Sequence, residues 1–157
     1  MEFISYQPQF QQEVIDLILH IQNDEAKIAL PLAQQPDLLD IPGAYQARGG
    51  QFWLAVEHGH VAGTIGLLPL NADCCVLKKF FVDSAFRGQK VGLALYQALL
   101  AFAQAHGFRH IVLDTPSVAQ ASHRFYERAG FRRITAAQLP APYTYPDRDS
   151  YLYLLDL

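Results

Sequence analysis

Residues 77–105 read LKKFFVDSAFRGQKVGLALYQALLAFAQA, and this stretch decides the fold. Residues 76–82 are rich in apolar and β-branched side chains, as a largely buried strand requires, and Asp83, Ser84 and Ala85 break the run. From Val91 the apolar positions Val91, Leu95, Leu99 and Phe102 recur at helical spacing, with nothing to interrupt them before Gly107. Between strand and helix lies Arg87-Gly88-Gln89-Lys90-Val91-Gly92. There the first N–H groups of the helix lack intrahelical partners and the helix dipole is positive, so an anion is favoured. Two glycines let a phosphate approach the backbone with no Cβ in the way, while Arg87 and Lys90 add charge.

The same glycines would also serve an ordinary turn. The segment lacks the Gly-Lys-Ser/Thr ending of a P-loop and the G-x-G-x-x-G of dinucleotide folds, which argues against nucleotide hydrolysis and hydride transfer. It resembles instead the acyl-CoA loop of the GNAT acetyltransferases, Arg/Gln-x-x-Gly-x-Gly/Ala at the start of a helix that follows a central strand. Arg87, Gly88, Val91 and Gly92 fit; Lys90 stands where the pattern has its first glycine, which removes backbone freedom and adds a charge. Downstream, Phe125-Tyr126-Glu127-Arg128-Ala129-Gly130-Phe131 resembles the family's second signature, a tyrosine near a helix end followed by Gly-Phe. Two motifs in the right order are more specific than either alone.

At 157 residues the chain is expected to form one domain, 1–157, with no internal repeat. Net charge is −3, from 12 Lys+Arg against 15 Asp+Glu, which gives no general attraction to nucleic acid. The hydrophobic share of 51% is slightly above the usual range, so part of it is available to a partner subunit or a ligand channel. Cys74 and Cys75 are adjacent and would face opposite sides of a strand, which disfavours a disulfide framework or a zinc site and favours buried small hydrophobes. No His-Glu-x-x-His or Cys/His spacing occurs, so no metal is expected, and no apolar run reaches membrane-spanning length. A cytoplasmic protein is expected.

In chain order, residues 3–6 are predicted as a first strand, followed by a helix with Phe10, Val14, Leu17, Ile18 and Ile21 on one face. Prolines 31, 36 and 42 and Gly49-Gly50 punctuate residues 23–50, with one short helix expected around 37–41. Residues 52–57 and 61–68 form a hairpin through His58-Gly59, and the strand at 74–82 adds to it. After the long helix, 110–113 is a buried strand ending in Asp114. The next helix has two candidate starts, Thr115-Pro116 and the capping box Ser117-x-x-Gln120, and stops at Gly130. Strands at 131–134 and 150–157 flank a loop containing Pro140, Pro142 and Pro146. The expected class is α/β (α+β), and the resemblance implies a mixed, mainly antiparallel sheet of six to seven strands flanked by helices, with a splay between its two central strands.

The resemblance further implies an N-acetyltransferase that uses acetyl-CoA as co-substrate to acetylate a primary amine of a small molecule or peptide. The backbone of Phe80, Phe81 and Val82 would hold the pantetheine arm as an added strand would, and the turn formed by Arg87, Gly88, Gln89, Lys90, Val91 and Gly92 would hold the pyrophosphate. Ala119 and Ser122 stand where the second signature usually has Asn-x-x-Ala, which leaves Ser122 for that contact. Tyr126 matches the family's general acid, set against an ordinary packing role at a helix end. A lysine-like amine with a pKa of about 10.4 costs on the order of 4 to 5 kcal/mol to keep neutral at pH 7, so a base is needed. The strand glutamate of many relatives is missing. Asp114 matches the acidic base of the ribosomal N-terminal acetyltransferase branch, but also suits a helix cap, and Glu25 acting through water is an alternative. Asp24, Glu25, Asp37 and Asp40 would either attract the amine or form a solvated loop. A non-catalytic acyl-CoA-binding or sensing module fits the same motifs, and the aromatic C-terminal strand is compatible with a homodimer.

Overall fold

The computed structural model describes residues 1–145 and 149–157; Pro146 of the proline-bearing loop lies outside them. Among the described residues are seven strands: β1 (Glu2–Ser5), β2 (Gln51–Glu57), β3 (His60–Pro69), β4 (Cys74–Val82), β5 (His110–Pro116), β6 (Arg132–Ile134) and β7 (Ser150–Asp156). The helices are α1 (Gln11–Leu19), α2 (Ile41–Ala44), α3 (Val91–Ala105) and α4 (Gln120–Arg128). The strands hydrogen-bond in the order β1-β2-β3-β4-β5-β7-β6. The β1–β2, β2–β3, β5–β7 and β6–β7 ladders are antiparallel and β4–β5 is parallel, the mixed sheet expected from the sequence. The parallel ladder joins Cys74–Val76 to His110–Val112 and ends there, which is the expected splay.

The chain divides into two compact units, Met1–Leu68 with Lys78–Phe102, and Pro69–Leu77 with Ala103–Leu157. In the first, α1 buries Val14, Ile15 and Ile18 in a core shared with Leu38, Ile41, Tyr45, Phe52 and Leu54. Helix α1 widens into a π-helical turn, His20–Glu25, in which the Ala26 N–H donates to the Ile21 carbonyl at 2.9 Å. The wider turn changes the helical phase, so Gln22 is buried whereas Ile21, expected on the apolar face, is half-buried. The short helix expected at 37–41 is instead a 3-10 turn, Pro36–Leu39, followed by α2, whose N-cap Asp40 accepts from the Gly43 N–H at 3.1 Å. At the β2–β3 hairpin both His58 and Gly59 are left-handed, with φ of 50° and 80°, as a type I′ turn demands.

In the second unit Cys74, Val76, Val112, Ile134, Leu152 and Leu154 form the core. Both cysteines are buried free thiols, and burial pushes Cys74 up to about 11 and Cys75 up to about 12. Neither expected start of α4 is used. Strand β5 runs through Pro116, and α4 begins at Gln120 after Ala119, which offers no side-chain cap. The reason is long-range: Ser117 donates its N–H to the Asp149 carbonyl at 2.9 Å and its hydroxyl to the Asp149 carboxylate at 2.5 Å, extending the alignment of β5 with β7. Asp114 lies inside β5 and caps no helix. Gly130, with φ of 97°, terminates α4 as expected. No helix among the described residues is long and apolar enough to cross a membrane.

Candidate active site

The first candidate region follows β4. Lys79 is left-handed, with φ of 54°, in the middle of that strand, and its carbonyl accepts from the Thr64 hydroxyl at 2.7 Å. The Phe81 carbonyl faces β3, 3.1 Å from where a Cβ on Gly63 would sit, and the Asp83 N–H donates to Ala62 of β3 at 2.9 Å. Strand alternation therefore directs the backbone groups of Phe80 and Val82 to the opposite edge of β4. Of the three residues expected to hold the pantetheine, Phe80 and Val82 thus share one edge and Phe81 uses the other.

The turn itself begins with Asp83, whose carboxylate accepts from the Ala85 N–H at 3.0 Å and starts a 3-10 turn, Ser84–Phe86. Gly88 has φ of 79° with open space around it, so its backbone angle is what requires glycine. Lys90 has φ of 64°: the residue that replaces the pattern's first glycine adopts the conformation a glycine would favour. The Lys90 carbonyl accepts from the Ala94 N–H at 3.1 Å as α3 opens, which leaves the N–H groups of Val91, Gly92 and Leu93 with no intrahelical acceptor. Gly92 is different from Gly88. A Cβ there would come no closer than 3.4 Å to Phe80, ordinary contact, so neither packing nor φ demands glycine at this position. A bare backbone at the helix start suits close approach by an anion, and these residues fit a pyrophosphate on that ground. The Gln89 amide donates to Ala85 at 3.3 Å, and Arg87 donates through Nε to the Val82 carbonyl at 3.0 Å and through its terminal nitrogen to Glu25 at 2.6 Å.

The four acidic residues of the 23–50 segment have separate partners. Asp24 meets His20 at 2.9 Å, Glu25 meets Arg87, and Asp40 caps α2. Asp37 accepts from the buried Tyr45 hydroxyl at 2.6 Å and lies 3.8 Å from the Lys79 ammonium. That ammonium also donates to the Gln35 side-chain Oε1 at 2.5 Å, and Gln35 exchanges two side-chain amide hydrogen bonds with Gln22, at 3.0 and 2.7 Å. Burial, then the Asp37 charge and hydrogen bond, push the Tyr45 phenol well above its usual range.

The second candidate region lies in β5, α4 and the segment before β7. Asp114 accepts a short hydrogen bond from the Tyr143 hydroxyl. Tyr126 is buried at 6% exposure among Phe125, Phe131 and Tyr153, with ring centroids 5.7 to 6.0 Å away. Its phenol is raised above the ordinary tyrosine value, first by burial and then by the Asp114 charge, and Tyr143 is raised by the same two causes plus its bond to Asp114. Asp114 and Tyr126 thus share one electrostatic neighbourhood. Ser122 lies in the first turn of α4. The Tyr143 contact has no local sequence signal, since it reaches Asp114 across 29 residues. No group of three or more His, Cys, Asp or Glu side chains among the described residues could hold a metal ion.

The structure superposes on an acetyltransferase from Streptococcus agalactiae 2603 with a TM-score of 0.96 and 42% identity, covering 99% of this chain and 98% of that one. A GNAT-family acetyltransferase from Staphylococcus aureus Mu50 gives 0.92 and 35%, over 99% and 98%. The N-acetylaspartate synthetase of Mus musculus is 37% identical over 110 residues, which is 69% of this chain but 37% of that protein. The match thus spans little more than a third of that relative's length. The model of the acetyltransferase (GNAT) family matches residues 15–131. The chain belongs to the GNAT acetyltransferase family.

Proposed function

We propose that the chain is an acetyl-CoA-dependent N-acetyltransferase in which a primary amine of a small molecule or peptide attacks the thioester directly. The observation that carries this is Gly92, a glycine that neither its backbone angle nor its neighbours require, at the start of α3 behind the left-handed Gly88 and Lys90. Acetyl-CoA would supply the activated acetyl carbon. The N–H groups of Val91 and Gly92 would bind the pyrophosphate, with Lys90 and Arg87 adding charge, and the Phe80 and Val82 backbone would align the pantetheine. Asp114 would take the proton from the incoming ammonium, with Tyr143 fixing the orientation of its carboxylate. Tyr126 would donate a hydrogen bond to the departing thiolate. Because the Tyr126 phenol is raised beyond its usual pKa of about 10 and a thiol lies near 8.5, full proton transfer would run uphill by at least about 2 kcal/mol. Stabilisation of the thiolate by the hydrogen bond is therefore the larger part of its role.

L-Aspartate heads the acceptors to test, because the Mus musculus relative is named for N-acetylaspartate synthesis. The test is calorimetric titration of acetyl-CoA into the protein, followed by mass spectrometry of a panel of amines incubated with both. Saturable binding together with an acetylated amine supports an enzyme. Binding with no acetylated amine across amino acids, polyamines and peptides favours the acyl-CoA sensor.

A further inference from the structure

Glu25 ends the π-helical turn, and its Oε1 lies 2.6 Å from the Arg87 guanidinium across 62 residues of sequence. Both groups are exposed, with 28% and 47% of their side chains accessible, so the pair adds little to folding stability. Its consequence is occupancy: the arginine of the turn before α3 already faces a carboxylate from the 23–50 segment. The other carboxylate oxygen of Glu25 lies 3.4 Å from His20 Nε2, an alternative partner within reach.

The backbone just after Glu25 is strained. Lys27 and Ala29 have φ of 56° and 58°, left-handed values that residues with a Cβ adopt at a cost. The segment is held by the Asn23 amide, which grips the Leu30 N–H at 2.5 Å and carbonyl at 3.0 Å, and by the Ile28 N–H on Gln22 at 2.8 Å. Glu25 is thus carried by a π-turn whose own attachments leave its carboxylate as the group of the turn that reaches Arg87.

Building on the acetyl-CoA reading above, we propose that Glu25 is a clasp on the cofactor site: it occupies Arg87 until the pyrophosphate of acetyl-CoA displaces it. A phosphate is a stronger bidentate partner for a guanidinium than an exposed carboxylate, and the two anions repel. Cofactor entry therefore expels Glu25 from Arg87, and His20 Nε2, 3.4 Å from its other oxygen, is the partner left to the carboxylate.

Glu25→Gln keeps the shape and removes the charge. In calorimetric titration with acetyl-CoA the variant should bind about fivefold more tightly than the wild type, the gain expected when one exposed ion pair no longer competes. The gain should vanish in an Arg87→Gln background, as a double-mutant cycle requires. If the wild type binds but Glu25→Gln binds equally or less tightly, or if its gain persists without Arg87, the clasp is wrong while the cofactor site stands. If the wild type does not bind acetyl-CoA, the cofactor site falls and the clasp with it.

Discussion

The turn at residues 83–92 and the cluster around Asp114 differ in what builds them. The turn is made of backbone: two left-handed residues, a helix start and a glycine with room to spare. The cluster is made of side chains, a carboxylate and two buried or half-buried phenols whose ionisation it opposes. A backbone site tolerates changes in side chain and fails when a Cβ is added, whereas a side-chain site fails with a single oxygen. Binding and chemistry should therefore be separable by mutation.

The largest effect is expected at Tyr126. Tyr126→Phe should lower kcat on the order of 10²-fold with the acetyl-CoA Kd nearly unchanged, measured by steady-state kinetics beside calorimetry. Loss of binding instead would mean that the phenol is a packing element. Asp114→Asn should also lower kcat, and it should let Tyr126 and Tyr143 ionise at lower pH, because one of the causes raising both phenols is removed. Ultraviolet titration of the tyrosines reads this directly. The same linkage sets the alkaline limit of the wild type. Both folded phenols lie above the unfolded value, so their stabilising contribution is complete below pH of about 10 and is lost as pH rises through the folded values. Thermal melts across that range should show a decline that is shallower in Asp114→Asn.

Effects at the turn should be smaller and fall on binding and stability rather than on the chemical step. Gly92→Ala should fold as well as the wild type or better, since a Cβ there meets ordinary contacts and favours helix, yet bind acetyl-CoA about tenfold more weakly. Unchanged affinity would show that the anion does not approach this position. Lys90→Gly should give the smallest change, a net stabilisation of up to about 1 kcal/mol by relief of the left-handed strain, partly offset by the freer unfolded chain. Chemical denaturation measures it.

The same contrast explains what was legible in the sequence. The 3.6-residue apolar spacing of Val91, Leu95 and Leu99, the His58-Gly59 hairpin and the Gly130 stop are local signals, and each appears in the structure. The left-handed turn ahead of α3 is legible for the same reason: glycines between a strand and a helix carry their meaning within six residues. What escaped was long-range. Ser117 reads locally as a helix cap but is held by Asp149, 32 residues away, and the start of α4 moves accordingly. Arg87 reads as a free cation of the turn but meets Glu25. Lys79 reads as one of two strand lysines, yet its ammonium ties Gln35 and Asp37 to β4. No periodicity announces a partner that only the tertiary fold supplies.

The most direct test of the central claim is release of free CoA thiol from acetyl-CoA by the wild type and by Tyr126→Phe, with and without amine acceptors led by L-aspartate. Release that requires an acceptor in the wild type and falls on the order of 10²-fold in Tyr126→Phe is the predicted result. Thiol release that is independent of acceptor, or equal in the two proteins, would contradict it.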